Sequence, residues 1–148
     1  MTLTIEMKPG LEDVPVGDAM HPGVLTCPPE TPLRDAARMM ASYRIHAVVV
    51  LTEESEADEG LGMWAVLSDV DLVAAAADGH ASGRSAGGVA RTPIVTIYPH
   101  ESLKHAAELM QKHAVTHVLV VSPSTERPLG IVSTLDIARV ISADPAAL

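Results

Sequence analysis

The sequence predicts an α/β (α+β) fold of two pseudo-twofold-related β-α-β-β-α units, packed through their sheets into one compact module. Three observations predict it. The stretch from Val24 to Leu51 can be laid without a gap over the stretch from Ile94 to Val121, at an offset of about 70 residues. In both stretches, apolar residues follow first helical and then strand spacing. A length of 148 residues suits one well-buried domain better than two large ones.

The first copy opens with a short strand around Leu25 and a helix from Pro32 to Tyr43. Its apolar helix face has i, i+3, i+4, i+7 spacing, Thr31 is a plausible N-cap, and Pro32 takes the first helical position. The β-branched run from 45 to 51 predicts a strand covered on both faces. A second strand at 63–67 follows, and Ser68 opens an Ala-rich helix that reaches about Ala77.

The second copy repeats this order. We predict strands at 95–97, 117–121 and 129–132 and helices at 102–113 and 133–141. The acidic segment 53–59 is expected to be a solvated loop, and the Gly- and Ser-rich stretch 78–88 a connector. We divide the chain into a tail at 1–13, a first repeat at 14–78, a linker at 79–84, a second repeat at 85–143 and a tail at 144–148.

Composition excludes some classes of function. A formal charge of -9 without a basic patch argues against nucleic-acid binding. A single cysteine, Cys27, precludes an internal disulfide and fits a reducing compartment. The sequence has neither a long apolar run nor the pattern of a signal peptide, so we expect a cytoplasmic protein that does not enter a membrane.

Each copy closes with a Ser-x-x-Asp motif between a strand and a helix: Ser68 with Asp71, and Ser133 with Asp136. One interpretation is structural, because a Ser N-cap with an acidic third residue is close to a capping box. The other is functional. Free N–H groups and the Ser hydroxyl at a helix start can hold a phosphate, and the Asp can accept hydrogen bonds from both hydroxyls of a ribose.

These motifs, in this order and twice over, resemble a tandem pair of CBS domains, the Bateman module. The resemblance rests on VGDAMHPGVLT, RIHAVVVL and AVLSDVDL in the first copy and on AVTHVLVV and GIVSTLDI in the second, and it covers about residues 14–143. It implies a regulatory module that binds AMP, ADP, ATP or S-adenosylmethionine in one or two clefts between the repeats, with no obligatory cofactor.

The resemblance also implies the site residues. Asp136 and Asp71 match the ribose-binding aspartate of the family, and Ser133 and Ser68 match its hydroxyl residue. The positions that flank the adenine are Val24, Leu25, Ile94 and Val95. The positions that often face phosphates are His46, Ala47, Thr116 and His117.

The two implied clefts are not equivalent. The cleft of Asp136 has His117, His46 and the small Gly130, whereas the cleft of Asp71 has Ala65 at the glycine position and Asp69 beside the motif. We therefore expect the Asp136 cleft to bind nucleotide better. Basic residues are scarce near the motifs, with Arg44 and Arg91 the nearest, so a monophosphate is favoured over a triphosphate.

Other residues with chemical potential have ordinary interpretations. His113 and His117 have the spacing of helical zinc ligands, but the pattern places one at a helix end and the other in a strand, so no metal site is expected. Cys27 lacks a neighbour that would stabilise a thiolate, and Met40 and Met110 lie on the core faces of helices.

Two functions from different classes remain open. One is a non-catalytic sensor that signals ligand binding to an effector protein in trans. The other is an interaction or scaffold dimer whose Ser-x-x-Asp motifs only cap helices. An enzyme is disfavoured because no nucleophile, base and orienting group assemble from the repeated motifs. The family resemblance also implies a homodimer, for which the Ala-rich segments 74–77 and 138–143 would allow close helix packing.

Overall fold

A computed structural model describes residues 10–52 and 62–143. A 3₁₀ turn at Leu11–Asp13 precedes the regular elements. The helices are α1 (Val16–Ala19), α2 (Leu33–Tyr43), α3 (Asp69–Ala77), α4 (Ala86–Val89), α5 (Leu103–His113) and α6 (Thr134–Ser142). The strands are β1 (His21–Pro22), β2 (Thr26–Cys27), β3 (Ala47–Thr52), β4 (Gly62–Ser68), β5 (Thr96–Ile97), β6 (His117–Val121) and β7 (Pro128–Ser133). The predicted α/β class is confirmed.

The duplication seen in the sequence is also present in the sheets. One sheet has the order β2-β3-β4 and the other β1-β7-β6-β5. Parallel pairing joins Thr26 to Val49 in the first sheet and Thr96 to Leu119 in the second, so both partners are displaced by the same interval along the chain. An antiparallel pair with a bulge at the same place follows in each repeat.

The short elements at the start of each repeat pack on the opposite repeat, and we call the two stretches that contain them, 16–22 and 84–92, the exchanged segments. Val16 of α1 is completely buried in the core of the second repeat, and Ala86 of α4 is completely buried in that of the first. Strand β1 pairs with β7, and Thr92 forms an isolated bridge to Val66 of β4. The prediction of an irregular connector over 78–88 was therefore wrong at its end, because the helix α4 begins at Ala86.

Small aliphatic side chains fill the interior. Each repeat has its own core, and a third cluster of Val49, Leu119 and Val121 lies between the two sheets. All three side chains in this cluster are essentially inaccessible to solvent. Strands β3 and β6 thus have apolar neighbours on both faces, which explains their continuous β-branched sequence.

Serine side chains start three of the longer helices. Ser68, Ser102 and Ser133 each accept a hydrogen bond from the backbone N–H three residues on. The predicted Thr31 cap of α2 was wrong: Pro32 is the N-cap and makes no side-chain capping bond. Backbone groups of the exchanged segment 84–92 bind the start of α2 instead. The Leu33 amide donates to the Arg84 carbonyl, and the Thr31 carbonyl accepts from the Ala86 amide.

Some predictions fall outside the described residues. The acidic segment 53–59, the start of the N-terminal tail and the C-terminal tail at 144–148 lie there. In the ranges 10–52 and 62–143, no helix is both long and apolar enough to cross a membrane.

Candidate ligand-binding site

A cavity of about 450 Å³ opens between the two repeats. Its size falls in the usual range of small-molecule pockets. Polar and charged residues come from β1, β6, β7, α6 and the segment between α2 and β3: His21, Arg44, His46, His117, Ser133, Asp136 and Arg139. The other lining residues are Pro22, Gly23, Val24, Leu25, Tyr43, Ile45, Ala47, Ile131 and Leu135.

Asp136 is held at the start of α6 by a reciprocal capping box. Its Oδ2 accepts hydrogen bonds from the Ser133 amide at 2.8 Å and from the Ser133 hydroxyl at 3.1 Å. The Ser133 hydroxyl oxygen in turn accepts from the Asp136 amide. The carboxylate is 2% exposed, so its position is fixed by the fold. Both interpretations of the motif therefore describe the same geometry: the helix cap also places a carboxylate at the cavity wall.

The second oxygen of Asp136 faces two exposed bases. The Nδ1 of His21 lies 2.9 Å from Oδ1, and the Arg139 guanidinium donates to the same oxygen at 3.2 Å. More than half of each basic side chain is exposed, with His21 at 56% and Arg139 at 57%. Two exposed side chains thus contact this oxygen, and solvent lies beside both.

Two histidines line the polar end of the cavity. His117 is buried, and this burial lowers the pKa of its imidazole, with the His46 ring acting in the same direction and the carboxylates of Asp69 and Asp136 opposing it. The Nδ1 of His46 lies 2.9 Å from the Asp69 carboxylate. Asp69, expected beside the Asp71 motif, therefore faces a residue of the Asp136 cavity. Thr116 is not a lining residue, but its hydroxyl contacts Nδ1 of His117 at 2.9 Å.

One predicted pair of apolar flanking residues reaches the cavity. Val24 and Leu25 line it together with Ile131. Val24 and Ile131 also pack against the cluster between the sheets, which makes this wall part of the interior. The equivalent pair does not line the cavity: Val95 is in the core of the second repeat, and Ile94 packs against the cluster between the sheets.

Asp71 has a different set of partners. Its Oδ2 accepts from the Ser68 amide at 2.9 Å and from the Thr92 hydroxyl at 3.1 Å. The Ser68 hydroxyl lies 3.2 Å from the same Thr92 oxygen. Ser68 and Asp71 are both buried, and neither lines the 450 Å³ cavity. The structure therefore brings together six predicted site residues, Asp136, Ser133, His117, His46, Val24 and Leu25, and places Asp71, Ser68, Thr116, Ile94 and Val95 outside that cavity.

Sequence reasoning missed the residues contributed by β1 and by the next turn of α6. Arg139 lies three residues after Asp136, and helix periodicity places such residues on one face. That spacing was a usable signal. His21 and Pro22 gave no such signal in the sequence. A strand of two residues has too little pattern to detect, and β1 pairs with β7 of the opposite repeat. Arg44 lines the cavity as a basic candidate, whereas Arg91 does not.

The fold, the duplicated Ser-x-x-Asp turns and the cavity between the repeats define a duplicated α/β module with a cavity of small-molecule size, and comparison gives its family. The CBS domain model matches residues 16–78 and 86–143. The chain belongs to the CBS domain family, as a tandem pair. Pairs of CBS domains are in general regulatory and non-catalytic modules.

Solved structures of CBS pairs share this architecture. The CBS domain pair of protein MJ0100, in complex with 5-methylthioadenosine and S-adenosyl-L-methionine, has 20% identity and a TM-score of 0.73 over 87% of this chain and 96% of that one. The CBS domain protein PAE2072 from Pyrobaculum aerophilum, complexed with AMP, has 22% identity and a TM-score of 0.69 over 90% and 95%.

A third similar structure is Hypoxic Response Protein I with two coordinated zinc ions, at 29% identity and a TM-score of 0.62 over 85% of this chain and 98% of that one. Among residues 10–52 and 62–143 here, no three His, Cys, Asp or Glu side chains are grouped so as to hold a metal ion. A search of curated proteins found no match to the chain.

Proposed function

We propose that this protein is a non-catalytic sensor that binds an adenosine-containing ligand in the Asp136 cavity and signals to a partner protein. The candidate ligands are AMP, ADP, ATP and S-adenosylmethionine. One observation carries the proposal: Asp136, fixed by Ser133, faces a cavity of about 450 Å³ that combines an apolar wall with a polar end.

Each part of the cavity suits one part of a nucleoside. Val24, Leu25 and Ile131 offer apolar surface to a base. Asp136 offers a carboxylate to the sugar hydroxyls. Ser133 at the α6 N-terminus, with His46 and His117, offers hydrogen-bond donors to a 5′ substituent, and the helix dipole favours negative charge there. The complexes of MJ0100 and PAE2072 support adenosine-containing ligands as the class to test first.

The arrangement favours binding over catalysis. Asp136 is the carboxylate in the cavity lining, and both of its oxygens already accept hydrogen bonds. Within the cavity lining, no hydroxyl or thiol lies beside a free general base in the manner of an activated nucleophile. Cys27 is buried in the first core, and burial raises the pKa of its thiol, which disfavours the reactive thiolate.

A thermal-shift panel separates the sensor from the scaffold alternative. The melting temperature is measured with AMP, ADP, ATP, S-adenosylmethionine and NAD. A ligand present at a hundred times its dissociation constant stabilises the folded protein by about 2.7 kcal/mol, which is a readily measured shift. No shift with any of the five would favour a scaffold dimer in which the motifs only cap helices.

Matched substitutions locate the site. Asp136→Asn keeps an oxygen that can accept from the Ser133 amide but removes the charge, and Asp71→Asn makes the same change outside the cavity. We expect Asp136→Asn to weaken binding at least tenfold, because hydrogen bonds to a charged group contribute about 1.5–3 kcal/mol. Asp71→Asn is expected to leave this affinity within about twofold. The reverse order would place the site elsewhere.

Signalling requires surfaces that reach other chains. Helices α3 and α6, which start at the two motifs, expose Val70, Val73, Leu135 and Ile141. Exposed apolar side chains on the ligand-contacting helix α6 favour a homodimer, through which ligand binding changes the surface offered to an effector in trans.

A further inference from the structure

We propose that the hydroxyl of Thr92 prevents Asp71 from binding a ribose, and that Thr92 is thereby the residue that makes the two motifs unequal. This inference rests on the proposed function, since it concerns ligand binding at Asp71 by the chemistry proposed for Asp136. It assigns a specificity role to a residue outside the Ser-x-x-Asp motifs.

Thr92 and His21 occupy corresponding places in the two repeats. Each lies on the chain segment exchanged to the opposite sheet, and each pairs with the residue two before the motif serine: His21 with Ile131, and Thr92 with Val66. Each also contacts the motif aspartate, His21 through Nδ1 at 2.9 Å and Thr92 through its hydroxyl at 3.1 Å. The two contacts fall on different oxygens, since His21 meets Oδ1 of Asp136 and Thr92 meets Oδ2 of Asp71.

The two contacts differ in how readily a ligand can displace them. The His21 ring is 56% exposed and can rotate into solvent, as can the Arg139 guanidinium. Thr92 has a short β-branched side chain, whose single rotatable bond has few allowed positions. Its oxygen also lies 3.2 Å from the Ser68 hydroxyl, so that it joins Ser68 and Asp71 in one closed network. A ribose would have to break this network, and the released Thr92 hydroxyl would stay close by.

The hydroxyl also does what a ribose hydroxyl would do. It donates to Oδ2 of Asp71, which accepts the Ser68 amide as well. In the Asp136 motif the corresponding donor to Oδ2 is the Ser133 hydroxyl itself, and Oδ1 is met by the two exposed bases. Thr92 thus occupies Oδ2, one of the two carboxylate oxygens that the hydroxyls of a ribose would use.

Two substitutions isolate this hydroxyl. Thr92→Ala removes both the hydroxyl and the methyl group, whereas Thr92→Ser removes the methyl group and keeps the hydroxyl. Ligand stoichiometry is measured by calorimetry with AMP for the wild type, for both variants, and for Thr92→Ala combined with Asp71→Asn. The unfolding transition of each variant is recorded to show that it is folded.

We expect the wild type and Thr92→Ser to bind one AMP per chain. We expect Thr92→Ala to bind a second AMP. The affinity for this second AMP should be at least tenfold higher than that of any second binding by Thr92→Ser. Adding Asp71→Asn to Thr92→Ala should abolish the second binding. His21→Thr, which introduces a hydroxyl at the corresponding place, should weaken AMP binding at Asp136 without unfolding the protein.

Several outcomes would contradict the proposal. Two AMP molecules on the wild type, or one on a folded Thr92→Ala variant, would show that Thr92 does not decide occupancy, while leaving the proposed function intact. If neither the wild type nor Thr92→Ala bound AMP or any other ligand of the five-member panel, both proposals would be overturned. Binding by Thr92→Ala alone would support the role of Thr92 and move the proposed function away from Asp136.

Discussion

Gly130 lies so close to the carbonyl oxygen of His21 that a β-carbon on Gly130 would overlap it. The same β-carbon would also lie 2.8 Å from the sulfur of Met20. Gly130 pairs with Pro22 where β1 crosses β7, so the missing side chain lets the exchanged strand approach its partner. Ala65 takes the corresponding position in the first repeat. The exchanged segment 84–92 meets that strand one residue further on, where Thr92 forms an isolated bridge to Val66.

Gly130→Ala is therefore expected to displace β1. We predict a loss of about 1–3 kcal/mol in the free energy of unfolding, the usual cost of overpacking, measured by urea denaturation. Ligand affinity should also fall, since His21 and Pro22 line the cavity.

The control is Ala65→Gly at the matching strand position. This substitution removes a β-carbon and introduces no overlap, so its cost should stay near the roughly 0.5–1 kcal/mol typical of glycine within a strand and should leave ligand affinity unchanged. Wild-type stability in Gly130→Ala would show that β1 can shift without consequence.

Arg139 is predicted to compete with the ligand for Asp136. Its guanidinium donates to Oδ1, so a ribose must displace it. The Arg139 side chain is more than half exposed, and an ion pair with an exposed partner contributes about 0.2–1 kcal/mol. Arg139→Ala should therefore tighten the binding of adenosine, which has no phosphate to attract the guanidinium, by up to about fivefold. The measurement is calorimetric titration, with Arg38→Ala on the exposed face of α2 as control. Weaker adenosine binding would mean that Arg139 contacts the ligand directly.

The sequence was most informative where one chain segment carries its own pattern. Met40 and Met110 lie at equivalent buried positions of α2 and α5, and the Ser133 and Asp136 side chains cap α6 as the local spacing predicted. These features depend on neighbours along the chain. What could not be predicted depends on contacts with the opposite repeat. The four-residue helix α4 packs in the core of the first repeat, and the two exposed residues of β1 pair with strand β7 of the second repeat.

The same reason explains why the candidate site was predicted in part. Val24, His46 and His117 were found because the family resemblance assigns site roles to their positions, whereas Thr92 was missed because its hydroxyl acts on a residue far away in the sequence. Asp69 lies beside the Asp71 motif as predicted, but its carboxylate contacts His46, a lining residue of the Asp136 cavity, which local spacing could not show.

His117 is predicted to make stability depend on pH. Burial lowers the pKa of its imidazole below the ordinary value of 6.5, so in the window between the two values the unfolded chain binds more protons than the folded protein. The free energy of unfolding must then fall as the pH decreases from about 6.5 to the folded-state pKa, and the contribution is constant below that. The groups that face His117 are Asp69, His46, Asp136 and Thr116.

The measurement is the free energy of unfolding from pH 8 to pH 5 for the wild type and for His117→Gln. We expect a smaller loss of stability on acidification in His117→Gln than in the wild type. His80→Gln, at an exposed histidine, should retain the wild-type slope. Equal slopes in all three proteins would show that His117 is protonated as readily in the folded state as in the unfolded one.

The exposed apolar residues of α3 and α6 are predicted to form a homodimer interface. Val73 is 67% exposed and Ile141 is 51% exposed, so both helices present large aliphatic side chains to solvent. Such side chains favour an interface with another chain. A carboxylate at either position would have to be buried without a partner in the dimer, at a cost of several kcal/mol. Light scattering after size-exclusion chromatography should therefore give a dimer for the wild type and for the surface control Arg38→Glu, and a folded monomer for Val73→Glu and Ile141→Glu. A dimer in both substituted proteins would place the interface on another face. A monomeric wild type would contradict the homodimer, and the exposed residues of α3 and α6 would then be candidates for contact with the effector protein.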